Sequence, residues 1–239
     1  MTVRERAGYL RLRLKAQAYV LILAAVAAGC ARRLPEAVPI ERPQELAQRL
    51  QGATLPERPL HIIFDWRYRG REGRYSGEGA VRFNPPDSVR LDLLGPGWSG
   101  VQSAVLLGAD VHYVGEQRVT LPPPTFMWAM MGTFRPPAGA EPAGERRGER
   151  VELTYGLEGE RSVTFIFDGL GRLVEAALEL RGDAIEEIRL EPGEASGDFA
   201  VPREARYRDL RNFHEINIEV TRARAREPFE SGIFAVAAG

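Results

Sequence analysis

The sequence predicts a mainly antiparallel β fold of the α+β class, organised as one domain. Residues 60–68 alternate between apolar and polar side chains, which is the pattern of a strand with one buried face. Further alternating segments follow as far as residue 222, and Gly, Pro and Asp turn signals separate them. Two segments, residues 43–51 and 126–131, have a helical pattern. The 210 residues that follow residue 29 of the 239 are enough for one such domain.

The first 29 residues have the features of a bacterial signal peptide. Five basic residues and one acidic residue occupy positions 4–15, and an uncharged stretch follows at residues 16–29. These 14 uncharged residues are too few to span a bilayer core, which needs about 20 helical residues. Ala27, Ala28 and Gly29 then precede Cys30, the only cysteine, and this pattern resembles the lipobox of bacterial lipoproteins.

This resemblance implies that Cys30 becomes the lipidated N-terminus, which several acyl chains would anchor stably in a membrane. Ala31 follows Cys30, whereas Asp at this position retains enteric lipoproteins in the inner membrane. The resemblance therefore implies a lipid anchor in the outer membrane, a tether over residues 30–41 and a folded part that faces the periplasm. The alternative is a plain secretory signal with an A-x-A cleavage site and an incidental cysteine.

The first half of the mature chain is predicted to contain a short helix and then a meander of strands. Pro43 suits the first turn of the helix at residues 43–51, and Gly52 suits its end. In the first strand, the residues predicted to face the core are Leu60, Ile62, Phe64, Trp66 and Tyr68. The strands that follow are predicted at residues 75–83, 89–94, 101–107, 111–114 and 118–121.

The second half is predicted to begin with a helix at residues 126–131, after three prolines and with Thr125 as its N-cap. Residues 136–150 contain no large apolar side chain and are predicted to form a mobile loop. Further strands are predicted at residues 151–157, 162–168, 172–180, 184–190 and 213–222, with a tight turn at residues 168–171. His214 lies on the apolar face of the last strand and is predicted to be a hydrogen-bonded core residue.

Composition and motifs argue against several classes of function. The 32 basic and 33 acidic residues give a net charge of -1, which does not favour a nucleic-acid partner. One cysteine and three histidines without ligand-like spacing do not favour a metal site. A G-x-G-x-x-G run at residues 95–100 contains Pro96 and precedes a strand, so it is predicted to be a turn, and Glu186 and Glu187 are predicted to be exposed. We therefore expect neither an enzyme nor a bound cofactor.

Two apolar features are unusual for a plain soluble domain. The predicted helix at residues 126–131 carries large apolar side chains on every side, namely Phe126, Met127, Trp128, Met130 and Met131. Methionine suits contact with variable apolar shapes such as acyl chains. We therefore expect this helix to be a lid whose side chains contact a ligand, and the alternative is a buried helix that plugs a barrel. Trp98 is expected at an exposed loop tip, or folded back on the sheet.

Residues 76–107 resemble the LolA/LolB-like outer-membrane lipoproteins. In that family, a strand leads through a Pro-containing turn into an R-L-x-L strand, which Arg90, Leu91 and Leu93 match here. A Pro-Gly loop with an apolar tip follows in the family, and Pro96 and Gly97 match it beside Trp98. The resemblance implies a half-open β-barrel of about ten or eleven strands over residues 42–227, with short covering helices and a C-terminal tail at residues 228–239.

The resemblance also implies an apolar cavity that binds lipoprotein acyl chains or other lipid without covalent chemistry. The expected function is that of an outer-membrane acceptor or chaperone in lipoprotein localisation, to which a periplasmic carrier protein would deliver the cargo. The expected cavity or lid residues are Phe64, Trp66, Phe126, Met127, Trp128, Met130 and Met131. The alternative is a non-catalytic lipoprotein subunit of an envelope assembly with a filled barrel. An apolar cavity of roughly several hundred Å³ would favour lipid binding, and a packed core would favour the assembly subunit.

Overall fold

The computed structural model describes residues 35–97, 100–193, 195–196 and 199–235. Cys30 and Trp98 therefore lie outside the described residues. The helices are α1 (Pro43–Ala53), α2 (Pro124–Met130) and a 3-10 helix (Ser231–Phe234). The strands are β1 (Ala37–Pro39), β2 (Leu60–Gly70), β3 (Gly73–Asn84), β4 (Ser88–Leu94), β5 (Gln102–Leu107), β6 (Asp110–Val114), β7 (Pro142–Arg147), β8 (Arg150–Leu157), β9 (Arg161–Phe167), β10 (Leu173–Leu180), β11 (Asp183–Glu191), β12 (Ala195–Ser196), β13 (Phe199–Ala200), β14 (Glu204–Asp209) and β15 (His214–Ala225).

Thirteen of the described strands form one antiparallel sheet in the order β1-β7-β8-β9-β10-β11-β14-β15-β2-β3-β4-β5-β6. The two edge strands β1 and β6 are not paired with each other, so the sheet stays open. This arrangement confirms the mainly antiparallel, half-open fold with short helices. Strands β1, β7 and β14 are additions to those predicted from the sequence, and β12 pairs with β13 in a small separate sheet. Among the described residues, no helix is both long and apolar enough to cross a lipid bilayer.

The inner face of β2 is the one that the sequence predicts. Every second side chain from Leu60 to Tyr68 is buried, and two of the aromatic ones lie opposite glycines of β3. Phe64 faces Gly79 and Trp66 faces Gly77. A Cβ atom on Gly79 would lie 2.2 Å from Cζ of Phe64, so the glycine leaves the space that the ring occupies. The Trp66 ring extends across β3, because its Nε1 donates hydrogen bonds to the carbonyl oxygens of Glu78 (3.0 Å) and Leu94 (3.2 Å).

The half of the interior formed by β7 to β11 packs around Phe134. The centroid of its ring lies 4.8 Å from that of Phe165 and 5.1 Å from that of Phe167. Helix α1 connects to the same cluster through Thr54, whose Oγ1 donates to the Leu50 carbonyl (2.8 Å) and accepts from the Phe134 amide (3.0 Å). This half is therefore a conventional packed core.

The predicted N-cap of α2 is wrong. The helix begins at Pro124, with Pro123 in the cap position and no side-chain hydrogen bond to the first turn. Proline suits the first helical position because its φ is already helical and its missing N–H would have no helical partner there. Thr125 therefore lies inside the first turn.

The strand predicted at residues 118–121 is also wrong. The side chain of Gln102 bonds to this segment in place of a neighbouring strand. Its Oε1 accepts from the amides of Arg118 (2.8 Å) and Val119 (3.0 Å), and its Nε2 donates to the Val119 carbonyl (2.7 Å). These bonds satisfy the backbone groups that a strand would have paired.

The loop predicted at residues 136–150 contains strand β7, so the prediction of a mobile loop is wrong there. Strand β7 pairs with β8 on one side and with β1 on the other. A Cβ atom on Gly144 would lie 3.0 Å from Cβ of Pro43, and the amide of Ile40 donates to the Gly144 carbonyl (2.9 Å). The strand lacks large apolar side chains because the backbone before α1 crosses close to it.

The C-terminal residues cover part of the outer face of the sheet. The 3-10 helix packs on β4, where the Arg90 guanidinium donates to the Ile233 carbonyl (3.1 Å). Asp92 is buried beneath it and accepts from Arg90 (2.8 Å) and Ser103 (2.6 Å). Phe234 is buried as well. The C-terminal residues therefore cover the outer face at β4, and the concave face is the one that holds the candidate site.

Candidate functional site

A small cavity of about 40 Å³ lies on the concave face of β2 to β5 and β15, next to α2. Apolar side chains alone line it: Ile62, Phe64, Val81, Val89, Leu91, Leu93, Leu106, Leu121, Pro122, Met127, Met130, Met131, Val201, Ile216, Ile218 and Val220. A surface of this kind favours apolar ligands, because it has no side-chain donor or acceptor that could orient a polar substrate.

One wall of the cavity belongs to α2 and the residues that flank it. Met127, Met130 and Met131 are buried there, and Leu121 and Pro122 precede the helix. Methionine side chains are unbranched and polarizable, so they adapt to irregular apolar neighbours. This wall can therefore rearrange more easily than the strand walls that oppose it.

Trp128 lies between Met127 and Met130 in α2, fixes the helix to the sheet and is 1% exposed. Its Nε1 donates to the Gly108 carbonyl (2.9 Å), and its ring centroid lies 5.5 Å from that of Phe83. The guanidinium of Arg135 lies 4.5 Å from the centroid of the Trp128 ring, within the range of a cation–π interaction. Trp128 therefore holds the helix against the turns after β3 and β5.

The structure places the seven predicted ligand-contact residues in two groups. Four of them line the cavity: Phe64, Met127, Met130 and Met131. The other three pack elsewhere: Trp66 against β3 and β4, Trp128 against the turns, and Phe126 against Tyr207 with ring centroids 5.6 Å apart. Contact with a ligand stays a prediction for all seven. Most of the lining residues that sequence reasoning missed lie in strands β2 to β5 and β15, whereas Leu121, Pro122 and Val201 lie outside the strands, and only the topology brings them together.

The volume of the cavity is far below that of a small-molecule pocket. Such pockets measure roughly 300–1,000 Å³, and here the buried side chains Met127, Met130 and Met131 occupy the space next to the cavity. The helix buries apolar side chains on all of its sides because the concave sheet surrounds it.

The interior becomes polar at the end opposite Trp128. We call this region the polar end and define it as Tyr68, Glu72, Glu186, Tyr207, Asp209 and His214. Glu186, Asp209 and His214 lie directly opposite one another across β11, β14 and β15. Glu186 was expected on an exposed face, and that expectation is wrong because the strand register places it on the same face as Ile188 and Leu190, which are buried.

Hydrogen bonds connect the tyrosines of the polar end to its glutamates. The hydroxyl of Tyr207 donates to Oε2 of Glu186 (2.7 Å), and burial raises the pKa of both groups. The hydroxyl of Tyr68 donates to Oε2 of Glu72, which lowers the pKa of Glu72. Burial and this glutamate together raise the pKa of Tyr68 to about 12. Thr120 also donates to Glu72 (3.2 Å), so the segment that contributes Leu121 and Pro122 to the cavity also touches the polar end.

His214 lies between the rings of Tyr68 and Tyr207, at centroid distances of 6.0 and 5.7 Å. It is 7% exposed, and its Nδ1 lies 3.8 Å from Oδ2 of Asp209. Its Nε2 is buried and has no hydrogen-bond partner, so the histidine is a core residue without the predicted hydrogen bond. Burial acts to raise the pKa of Asp209, but hydrogen bonds from Asn212 and from the amide of Arg211 leave that pKa below its usual value.

No group of three or more His, Cys, Asp or Glu side chains in the described part of the chain is arranged to hold a metal ion. The cavity offers apolar surface, and the polar end offers hydroxyl and carboxyl groups.

Comparison with known proteins identifies the fold. No protein-family model matches the chain, and no curated protein matches it. A solved structure of a LolA superfamily protein from Nitrosomonas europaea is 13% identical, with a TM-score of 0.55 over 80% of this chain and 97% of that one. A putative outer membrane lipoprotein-sorting protein domain from Vibrio parahaemolyticus is 8% identical, with a TM-score of 0.48 over 80% of this chain and 94% of that one. A DUF1329 family protein from Desulfovibrio piger is 12% identical, with a TM-score of 0.46 over 82% of this chain and 97% of that one. The first of these similarities shows that the chain has a LolA-like fold, as the resemblance implied.

Proposed function

We propose that this chain binds lipid acyl chains inside its half-open barrel and serves at the outer membrane as an acceptor or chaperone for lipoproteins. The observation that carries the proposal is the cavity, which only apolar side chains line and which has the methionines of α2 as one wall. The LolA-like fold supports it by providing a curved sheet with one open side.

Binding requires α2 to leave the interior, and the contacts of the helix make this step feasible. The helix has seven residues, and Trp128 provides its side-chain hydrogen bond to the sheet. Met127, Met130 and Met131 contact the cavity through apolar surface alone. An incoming acyl chain would contact the same strand walls, at about 25 cal/mol per Å² of apolar surface buried. The exchange replaces one set of apolar contacts by another, so its net free energy is small.

The location and the partners of the proposal rest on the N-terminal sequence. Lipidation of Cys30 would anchor the chain, and Ala31 favours the outer membrane over the inner one. A periplasmic carrier protein would then deliver lipoproteins to the anchored domain. A Cys30→Ser variant is expected to leave the membrane fraction and to lose labelling by a palmitate analogue. Equal labelling of both proteins would contradict the anchor.

A specific observation favours a second candidate function. The cavity measures about 40 Å³, and every large side chain of α2 is buried, as expected for a permanently filled barrel. In that case the chain would be a non-catalytic lipoprotein subunit of an envelope assembly, and no acyl ligand would enter it.

Binding of a fluorescent acyl probe distinguishes the two candidates. The full chain carrying Cys30→Ser avoids detergent and is titrated with an acyl chain that bears a dansyl group. We expect saturable binding at one site. Leu121→Glu places a charge at the cavity and should weaken binding at least tenfold, about 1.4 kcal/mol. The matched control is Leu170→Glu, because Leu170 is 78% exposed and does not line the cavity. Absence of saturable binding would favour the filled barrel.

A further inference from the structure

The polar end continues the cavity along the same face of the sheet. On β15, Ile216, Ile218 and Val220 line the cavity, and His214 is the next residue on that face. On β2, Phe64 lines the cavity, and Tyr68 lies further along the same buried face. An extended ligand that occupies the cavity therefore has the polar end at one of its two ends.

One buried polar atom of the polar end is unsatisfied. The carboxylate of Asp209 accepts hydrogen bonds from the residues that follow it, Glu186 accepts from Tyr207, and Glu72 accepts from Tyr68. The Nε2 of His214 has no partner although the side chain is more than nine-tenths buried. Leaving such a group unpaired costs roughly 1–3 kcal/mol, and native proteins do so rarely. A ligand atom at this position would satisfy it.

The charge of the polar end limits what that ligand can be. Three carboxyl groups surround the histidine, and their hydrogen-bond donors are hydroxyl, amide and backbone groups. A fatty acid would bring a fourth carboxylate into this partly buried environment, where like charges repel strongly. An amide or a hydroxyl adds no charge and contains both a donor and an acceptor, so it pairs with Nε2 whichever protonation state the ring has.

We infer that the polar end is a head-group subsite, which selects amphiphiles with an uncharged amide or hydroxyl head over fatty acids. This inference rests on the proposed function, because the apolar part of the amphiphile occupies the cavity. His214 makes the hydrogen bond to the head group, and Asp209 positions its ring. The carboxylates exclude anionic heads.

Three probes with the same dansyl-labelled acyl chain test the inference, one with a carboxylate head, one with a primary amide and one with an alcohol. They are titrated into the full chain carrying Cys30→Ser at pH 7.5. We expect the amide and the alcohol to bind at least tenfold more tightly than the carboxylate. His214→Phe removes the partner of the head group and should weaken binding of the amide and the alcohol at least tenfold. The matched control is His112→Phe, an exposed site on β6, which should leave the preference unchanged.

The outcomes separate the inference from the proposed function. If none of the three probes binds, the proposed function is wrong. If all three bind equally, acyl binding stands and the head-group subsite is wrong, and the same holds if His214→Phe binds the amide and the alcohol as tightly as the unmutated site does. Should His214→Phe fail to fold, NMR of the imidazole nitrogens in the unmutated site replaces it. Nε2 of His214 should then shift on addition of the amide probe, and an unchanged resonance at saturation would overturn the assignment.

Discussion

Loosening α2 without unfolding the sheet is the most informative perturbation of this fold, and Trp128→Phe is the variant that achieves it. The substitution removes the hydrogen bond from Nε1 to the Gly108 carbonyl, which is worth about 0.5–1.5 kcal/mol. It also weakens the cation–π contact with Arg135, which contributes about 0.5–1 kcal/mol. The smaller ring leaves part of a buried site empty as well. We expect a total loss of about 2–3 kcal/mol in the free energy of unfolding.

The functional effect is expected in the rate at which an acyl probe associates. If α2 must move before the probe enters, a helix destabilised by about 2–3 kcal/mol populates the displaced state about 30–150 times more often. Stopped-flow fluorescence of the dansyl probe should show an association rate that rises by a comparable factor. Urea denaturation measures the accompanying loss of stability.

Trp66→Phe is the matched control for this experiment. Trp66 is also 1% exposed and also donates from Nε1, but its partners are the carbonyls of Glu78 and Leu94, away from α2. The control should lose stability without faster association. If Trp128→Phe lowers stability and leaves the association rate unchanged, α2 does not control entry and the reasoning is refuted.

Three further predictions concern stability and use urea denaturation. Gly77→Ala should destabilise the fold by about 1–3 kcal/mol, because its Cβ atom would lie 1.8 Å from a backbone oxygen of β4. At Gly52 the added Cβ atom has free space, so Gly52→Ala should be neutral or stabilising. Tyr155→Phe removes a buried hydroxyl without a partner and should not destabilise, whereas Tyr207→Phe leaves Glu186 unpaired and should cost about 1–3 kcal/mol. Because the pKa of Glu186 is raised in the folded chain, this carboxyl group stabilises the fold at pH values below its unfolded pKa of about 4.3. This contribution is lost as the pH rises through the pKa of the folded chain. Glu186→Gln should therefore gain stability relative to the wild type between pH 4 and pH 7.

Each of these predictions has a result that would contradict it. Equal effects of the two glycine substitutions would show that the close approach of β3 and β4 is not a constraint. A clear loss of stability in Tyr155→Phe would mean that its hydroxyl has a partner. A difference between Glu186→Gln and the wild type that is constant with pH would show that the carboxyl group has the same pKa in the folded and unfolded chains.

The sequence alone predicts the strands in which apolar and polar side chains alternate. The alternation on β2 is visible because large aromatic residues alternate with charged ones over its whole length. Strand β7 was missed because its position depends on backbone pairing with β1 and β8 and on the close approach of the chain at Gly144. Neither feature produces an alternation of apolar and polar residues in the sequence. The segment at residues 118–121 has strand-like residues, but the side chain of Gln102 satisfies its backbone, which no local pattern reveals.

The sequence likewise predicts one part of the candidate site and not the other. The methionines of α2 stand out in the sequence because a short helix with apolar residues on all sides needs a surrounding surface. The polar end does not stand out, because Glu186, Asp209 and His214 come from three strands and meet through the register of the sheet. Trp128 was expected to contact a ligand more than to stabilise the fold, and ligand contact stays a prediction; its hydrogen bond and burial show that it also anchors the helix.

Photo-crosslinking tests most directly whether the interior of the half-barrel binds an acyl chain. A palmitoyl amide with a diazirine in the middle of its chain is bound to the full chain carrying Cys30→Ser, irradiated and mapped by mass spectrometry of peptides. If the acyl chain lies in the half-barrel, we expect adducts in residues 81–93, which span β3 and β4, and in residues 126–131 at α2, and we expect competition by unlabelled palmitoyl amide. The absence of adducts at saturating probe, or adducts confined to residues 227–235 on the outer face, would contradict it.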